Sequence, residues 1–210
     1  MPERNRDRIV QLDLRHNGTL HIIAFGSSLT ARALWPAQLQ VALQDCGFTE
    51  VRVETLARAG AGSDRGLPLV RQAIFEGVDA AILEFAINDA DLIDGLSRNQ
   101  SRENHDAMIA ALHGAAPRVA PILMATNPVS GLQRLKRPRL AAYYRDLASL
   151  AEARDVGFFD GTWRWTAVRG RVAKDGLHPA PEMEAELYVG PLARLIAAGA
   201  GRDCPGNPAG

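Results

Sequence analysis

Several features that would commit the chain to a partner or a compartment are missing. Its 210 residues hold 24 Lys and Arg against 24 Asp and Glu, so no net field draws in nucleic acid or an anionic membrane surface, and neither is expected as a partner. The only cysteines, Cys46 and Cys204, are far apart in sequence. They imply neither a disulfide framework nor a zinc cluster, and both read as bystanders. No apolar run approaches membrane-spanning length, and residues 1–16 alternate charged and polar side chains with no apolar signal-peptide core. A soluble, cytoplasmic protein is expected, with one core large enough to stand without staples.

What is present is an alternation of two periods. Apolar, β-branched runs of strand length occur at 20–25, 51–57, 78–86, 121–126 and 156–160. Between them lie helical patterns: one from Leu34 to Leu43 with Pro36 in its first turn and Gly47 as its C-cap, and others at about 65–76, 101–113 and 140–151. A last helix is predicted over 181–198, and Ser101 suits the N-cap of the helix it opens. Strands alternating with helices imply a parallel sheet with right-handed crossovers and helices on both faces, an α/β fold of three-layer α/β/α type. Residues 19–198 form the expected single domain. The segment 1–18 suits an edge strand or a stretch lying across the surface, and the Gly/Pro-rich tail 199–210 reads as loose.

In such a sheet the loops after the strands share one edge, where ligands bind. That places Ser28, Gly62, Asn88 and Asn127 on one rim. Ser27 and Ser28 follow Gly26 in a tight strand-to-helix turn, so one of them is a candidate nucleophile, although hydroxyls there also cap helices. A hydroxyl nucleophile needs a base. His16 and His21 precede the turn and His105 and His113 fall within a predicted helix, whereas His178 lies in a turn after the last strand, three residues beyond Asp175. A carboxylate so placed can hold Nδ1–H and leave Nε2 free to take a proton, or it can simply cap its own turn. Donors for a developing oxyanion are the N–H groups of Ser28 and Gly62 and the Asn88 amide.

Taken together and in this order, the residues resemble the SGNH hydrolases, the GDSL esterase and lipase family. Gly26-Ser27-Ser28-Leu29 is similar to the family's Gly-Asp-Ser-Leu block, Gly62 to its glycine block, Ala86-Ile87-Asn88-Asp89 to Gly-x-Asn-Asp and Asp175-Gly176-Leu177-His178 to Asp-x-x-His. The resemblance implies a flavodoxin-like sheet of five parallel strands and ester or thioester hydrolysis without metal or cofactor. It makes Ser28 the nucleophile, His178 the base, Asp175 its orienting acid, and Ser28, Gly62 and Asn88 the oxyanion hole. Two departures stand out: Ser27 replaces the usual aspartate, and Ala86 replaces a glycine.

The expected substrate is a small-molecule or saccharide ester, walled by Leu29, Leu92, Ile93, Asn127 and Val129. The basic run 134–139 suits either an anionic substrate group or a solvated face. Acyl transfer to an alcohol would use the same triad, and a silent anion-binding module would use the same helix N-termini. No oligomeric state follows from the pattern.

Overall fold

Five short apolar runs become the strands of one parallel sheet in the computed structural model, which describes residues 6–16, 18–167 and 175–204. In chain order the elements are β1 (Thr19–Gly26), α1 (Ser28–Ala31), α2 (Trp35–Asp45), β2 (Glu50–Ala57), α3 (Ser63–Gln72), β3 (Ala80–Glu84) and α4 (Ala86–Asp89). There follow α5 (Arg98–Ala115), β4 (Ala120–Ala125), α6 (Gly131–Lys136), α7 (Leu140–Arg154) and β5 (Gly157–Asp160). A 3-10 turn (Thr162–Ala167) and a last helix in three segments complete them: α8 (Pro181–Glu184), a π turn (Ala185–Val189) and α9 (Gly190–Gly199).

The strand order is β2-β1-β3-β4-β5, with every neighbouring pair parallel. The chain reverses direction across the sheet between β1 and β3, the place where α/β sheets of this order open a crevice. Every residue of β3 and β4 is buried, because period-2 alternation sends successive side chains to two covered faces. On one face Ile23, Phe25, Ala81 and Leu83 pack with Val70, Met108, Leu112 and Leu147 from α3, α5 and α7. On the other, Ile22, Ala24, Ile82 and Ile122 pack with Trp35, Leu39, Leu43, Leu192 and Ile196 from α2 and α9. The three-layer α/β/α arrangement read from the alternation is the observed one.

Local boundaries move where a side chain finds a better partner. The helix predicted over 101–113 begins earlier, at Arg98. Ser97 caps it and forms a reciprocal capping box with Gln100, while the Ser101 hydroxyl donates to Asp89 instead. β3 stops at Glu84 because the chain turns at once into α4. In the N-terminal segment, Arg8 makes an isolated antiparallel bridge to Phe158 of β5.

The bystander reading of the cysteines is corrected. Cys46 and Cys204 form a disulfide, their Cα atoms 4.2 Å apart across 158 positions. The reason is packing that sequence distance does not reveal. After α9 the chain turns back over the end of α2, where Arg202 donates to the Gly47 carbonyl and stacks 4.5 Å over the Phe48 ring. Disulfides persist in oxidising compartments and are rare in cytosolic proteins, so this pairing bears directly on the cytoplasmic expectation. Among the described residues no helix is long and apolar enough to cross a membrane.

One close approach governs how α3 meets the sheet. A Cβ built on Gly66 would lie 2.5 to 2.7 Å from the Phe85 ring, so only glycine lets the helix seat there. Gly66→Ala is expected to destabilise the fold by about 1–3 kcal/mol through overpacking, which thermal denaturation would record as a fall of roughly 2–4 °C for each kcal/mol. Adding Phe85→Leu should recover part of the loss; a strictly additive double variant would show that the ring is not the obstacle.

Candidate active site

The turn after β1 is built on a buried carboxylate. Ser27 caps α1 by accepting from the Leu29 N–H at 3.2 Å. Its own hydroxyl donates to Glu84 at 2.9 Å and its N–H donates to the same carboxylate at 3.0 Å. The Thr30 hydroxyl adds a third donor at 3.0 Å. Glu84 is at the end of β3, where Gly26 is its partner in register. A carboxylate in a doubly covered strand must be paired, so its interruption of the apolar run was the sequence signal for this contact. Complete burial pushes the Glu84 carboxyl up to about 7, against the opposing hydrogen bonds from Ser27 and Thr30; the nearby Asp89 charge adds to the rise.

Held this way, Ser28 opens α1 with its Oγ 2.8 Å from His178 Nε2. His178 Nδ1 is 2.6 Å from Asp175 Oδ2. A carboxylate only accepts, so Nδ1 carries the proton in this pair, and neutral Nε2 is left to accept from the Ser28 hydroxyl. The other Asp175 oxygen accepts from the backbone N–H groups of Leu177 and His178, both at 2.9 Å. Partial burial pushes the Asp175 carboxyl up, but hydrogen bonds from His178 and from those backbone groups outweigh it and hold the group at about 2.

Gly62 is the N-cap of α3, and a Cβ there would lie 2.6 Å from Asp89 Oδ1. That oxygen is occupied by the Ser63 N–H at 2.7 Å, and the second Asp89 oxygen accepts from the Ser101 hydroxyl at 2.6 Å. Asn104 of α5 also donates to the Ser63 hydroxyl, at 3.1 Å. The glycine turn is therefore anchored to α4 and α5. Asn88 lies in α4 and donates one amide hydrogen to the Ala61 carbonyl at 3.0 Å, beside Gly62.

The residues expected to wall the substrate separate. Leu29 is 3% exposed and belongs to the core, so it offers a ligand no surface. Asn127 is buried; its amide donates to the carbonyls of Pro128 and Leu177, and its oxygen accepts from the Tyr188 hydroxyl. It supports the loop that carries His178 and does not face a ligand. Leu92 and Ile93 are largely exposed, while Val129 lines a cavity of about 400 Å³ with Tyr144 and Trp165. A second cavity of about 600 Å³ takes in Gly62, Asn88 and Leu177, and its wall is polar, with Asp64, Arg65, Asp91, Asp94 and Lys136. The basic run divides too: Arg137 is buried, and Arg134, Lys136 and Arg139 are exposed. Among the described residues no group of three or more His, Cys, Asp or Glu is placed to hold a metal ion.

Comparison with known proteins is decisive at the level of family. The model of the GDSL-like Lipase/Acylhydrolase family matches residues 24–185. The chain belongs to that family. As an acylhydrolase of this type it is a serine hydrolase of the esterase class, and its fold recurs in solved structures. A lipase/acylhydrolase from Enterococcus faecalis superposes with a TM-score of 0.74 at 20% identity, covering 90% of this chain and 100% of that one. An acetylxylan esterase from Geobacillus stearothermophilus gives 0.69 at 16% identity over 84% and 94% of the two chains. A carbohydrate acetylesterase from Sinorhizobium meliloti gives 0.70 at 14% over 85% and 99%. No curated protein matches the sequence.

The Glu84 environment sets a pH dependence in this acylhydrolase. With a folded pKa of about 7 against an ordinary 4.5, the folded state holds the proton more tightly. The stabilising contribution is full below about 4.5 and is lost as pH rises through about 7, an effect of about 3 kcal/mol. Urea denaturation at pH 5 and pH 8 is expected to show this loss in the wild type and a flatter profile in Glu84→Gln; equal slopes would remove Glu84 as the source.

Proposed function

We propose that the enzyme hydrolyses carboxylic esters, including thioesters, through an acyl-enzyme on Ser28. The continuous hydrogen-bonded path from Ser28 Oγ to His178 and on to Asp175 is the observation that carries the reading. His178 Nε2 takes the Ser28 proton as Oγ attacks the carbonyl carbon, and Asp175 steadies the imidazolium. The carbonyl oxygen becomes an oxyanion received by the N–H groups of Ser28 and Gly62 and by the Asn88 amide. The same imidazolium then protonates the leaving alcohol. Water attacks the acyl-enzyme with His178 as base, releasing the acid and restoring Ser28. No cofactor enters any step.

The substrate we infer is an ester of a short acyl group with a polar alcohol, such as an O-acylated saccharide. Two things support it. The cavity beside Gly62 and Asn88 is walled by carboxylates and cations, which suit hydroxyl-rich groups better than alkyl chains. Two of the structural relatives are described as acting on acetylated carbohydrates.

A fluorophosphonate probe is expected to add one adduct at Ser28, located by mass spectrometry and absent in Ser28→Ala. A folded wild type that takes no label would overturn the reading. Asn88→Ala is expected to lower turnover of a nitrophenyl acetate by on the order of a hundredfold, about 3 kcal/mol, while labelling slows but persists. Unchanged turnover would remove Asn88 from the oxyanion hole.

A further inference from the structure

The basic run that sequence alone leaves between an anion site and a solvated face holds one residue of a different kind. Arg137, immediately after α6, is only 7% exposed. Its Nε–H donates to the Ile87 carbonyl at 2.8 Å and its Nη1 to the Gln133 side chain. Its Nη2 donates to Asn88 Oδ1 at 3.3 Å and pairs with Asp91 at 3.1 Å. One guanidinium thus grips three acceptors in and just beyond α4: the Ile87 carbonyl, the Asn88 amide oxygen and the Asp91 carboxylate. We propose that Arg137 is a positioning residue for the oxyanion hole, which it serves by fixing the direction of the Asn88 amide.

The argument is one of donors and acceptors. An amide can sit two ways round in a site, with oxygen and nitrogen exchanged. A guanidinium only donates and a carbonyl only accepts. With Arg137 at one end and the Ala61 carbonyl at the other, Asn88 has a single satisfied orientation: Oδ1 toward Arg137 and Nδ2 toward Ala61. Nδ2 carries two hydrogens, and Ala61 uses one. The second remains for the substrate oxygen, in the cavity that Gly62, Asn88 and Arg137 all line. Without Arg137 the amide keeps only its Ala61 tie, and the donor aimed at the developing charge loses its fixed direction. Asp91 shares the guanidinium's charge, so the arginine serves the site mainly through geometry. Lysine, a point charge without the planar fork, cannot hold all these acceptors at once.

The proposal rests on the acyl-enzyme reading above, and the test separates the two. Arg137→Met, Arg137→Lys, Asn88→Ala and the double variant Arg137→Met/Asn88→Ala would be assayed for kcat and KM on nitrophenyl acetate, with thermal melts to establish folding. Because Arg137 acts through Asn88, its removal is expected to cost kcat roughly tenfold or more but no more than Asn88→Ala does, with KM changed by less than about twofold. In the Asn88→Ala background the same change is expected to cost less than about threefold. A full, independent loss in that background would overturn the proposal, as would wild-type kcat in Arg137→Met. Should Arg137→Met fail to fold, Arg137→Lys decides: a drop confined to kcat supports the role, and wild-type kcat or a loss carried by KM overturns it. Absence of fluorophosphonate labelling in the wild type would instead strike the acyl-enzyme reading itself.

Discussion

The molecule depends on a carboxylate held where water cannot reach it. Glu84 ends the central strand β3, and three donors from the turn after β1 converge on it. Burying a carboxyl group is costly unless its lone pairs are filled, and the observed conformation of the turn fills them. That conformation places Ser28 at the first position of α1, with Oγ facing His178. Where the family pattern has an aspartate within the turn itself, this chain has Ser27, and the carboxylate bound to that position comes from the neighbouring strand.

The other loops on the same sheet edge are tied down by the same principle. Asp89 holds the Gly62 turn through Ser63, Asn127 holds the Asp175 to His178 turn through the Leu177 carbonyl, and Arg137 holds α4. Each loop sets an apolar residue into the core, Ala61, Leu177 or Ile87, and each is also tied by a buried polar side chain from elsewhere in the chain. The cavity with the charged wall opens beside Asn88 at the same edge.

The last helix joins this rim to the opposite face of the sheet. Glu184 in α8 accepts from the N–H groups of Leu34 and Trp35, at the start of α2, while Trp35 donates to the Leu29 carbonyl of α1. Burial pushes the Glu184 carboxyl up, with those backbone donors opposing. Beyond α9 the disulfide between Cys46 and Cys204 returns the chain to α2, so the helix that follows His178 is anchored at both ends.

The alternation of strand and helix periods, and with it the three-layer sheet and the common rim of its loops, was legible in the residues alone, because burial on one or two faces leaves a local period. The Asp175 and His178 contact was open to the sequence as one of two readings, because its partners are only three positions apart. Other features required the folded chain. Ser97, not Ser101, caps α5 because Asp89 claims the Ser101 hydroxyl. Leu29 and Asn127 turn inward, Arg137 leaves its exposed basic neighbours for Asn88, 49 positions away, and Cys46 meets Cys204. Pairings of that kind leave no periodic trace. They arise where two loops meet in space, and which buried donor then fills which acceptor is decided by tertiary packing.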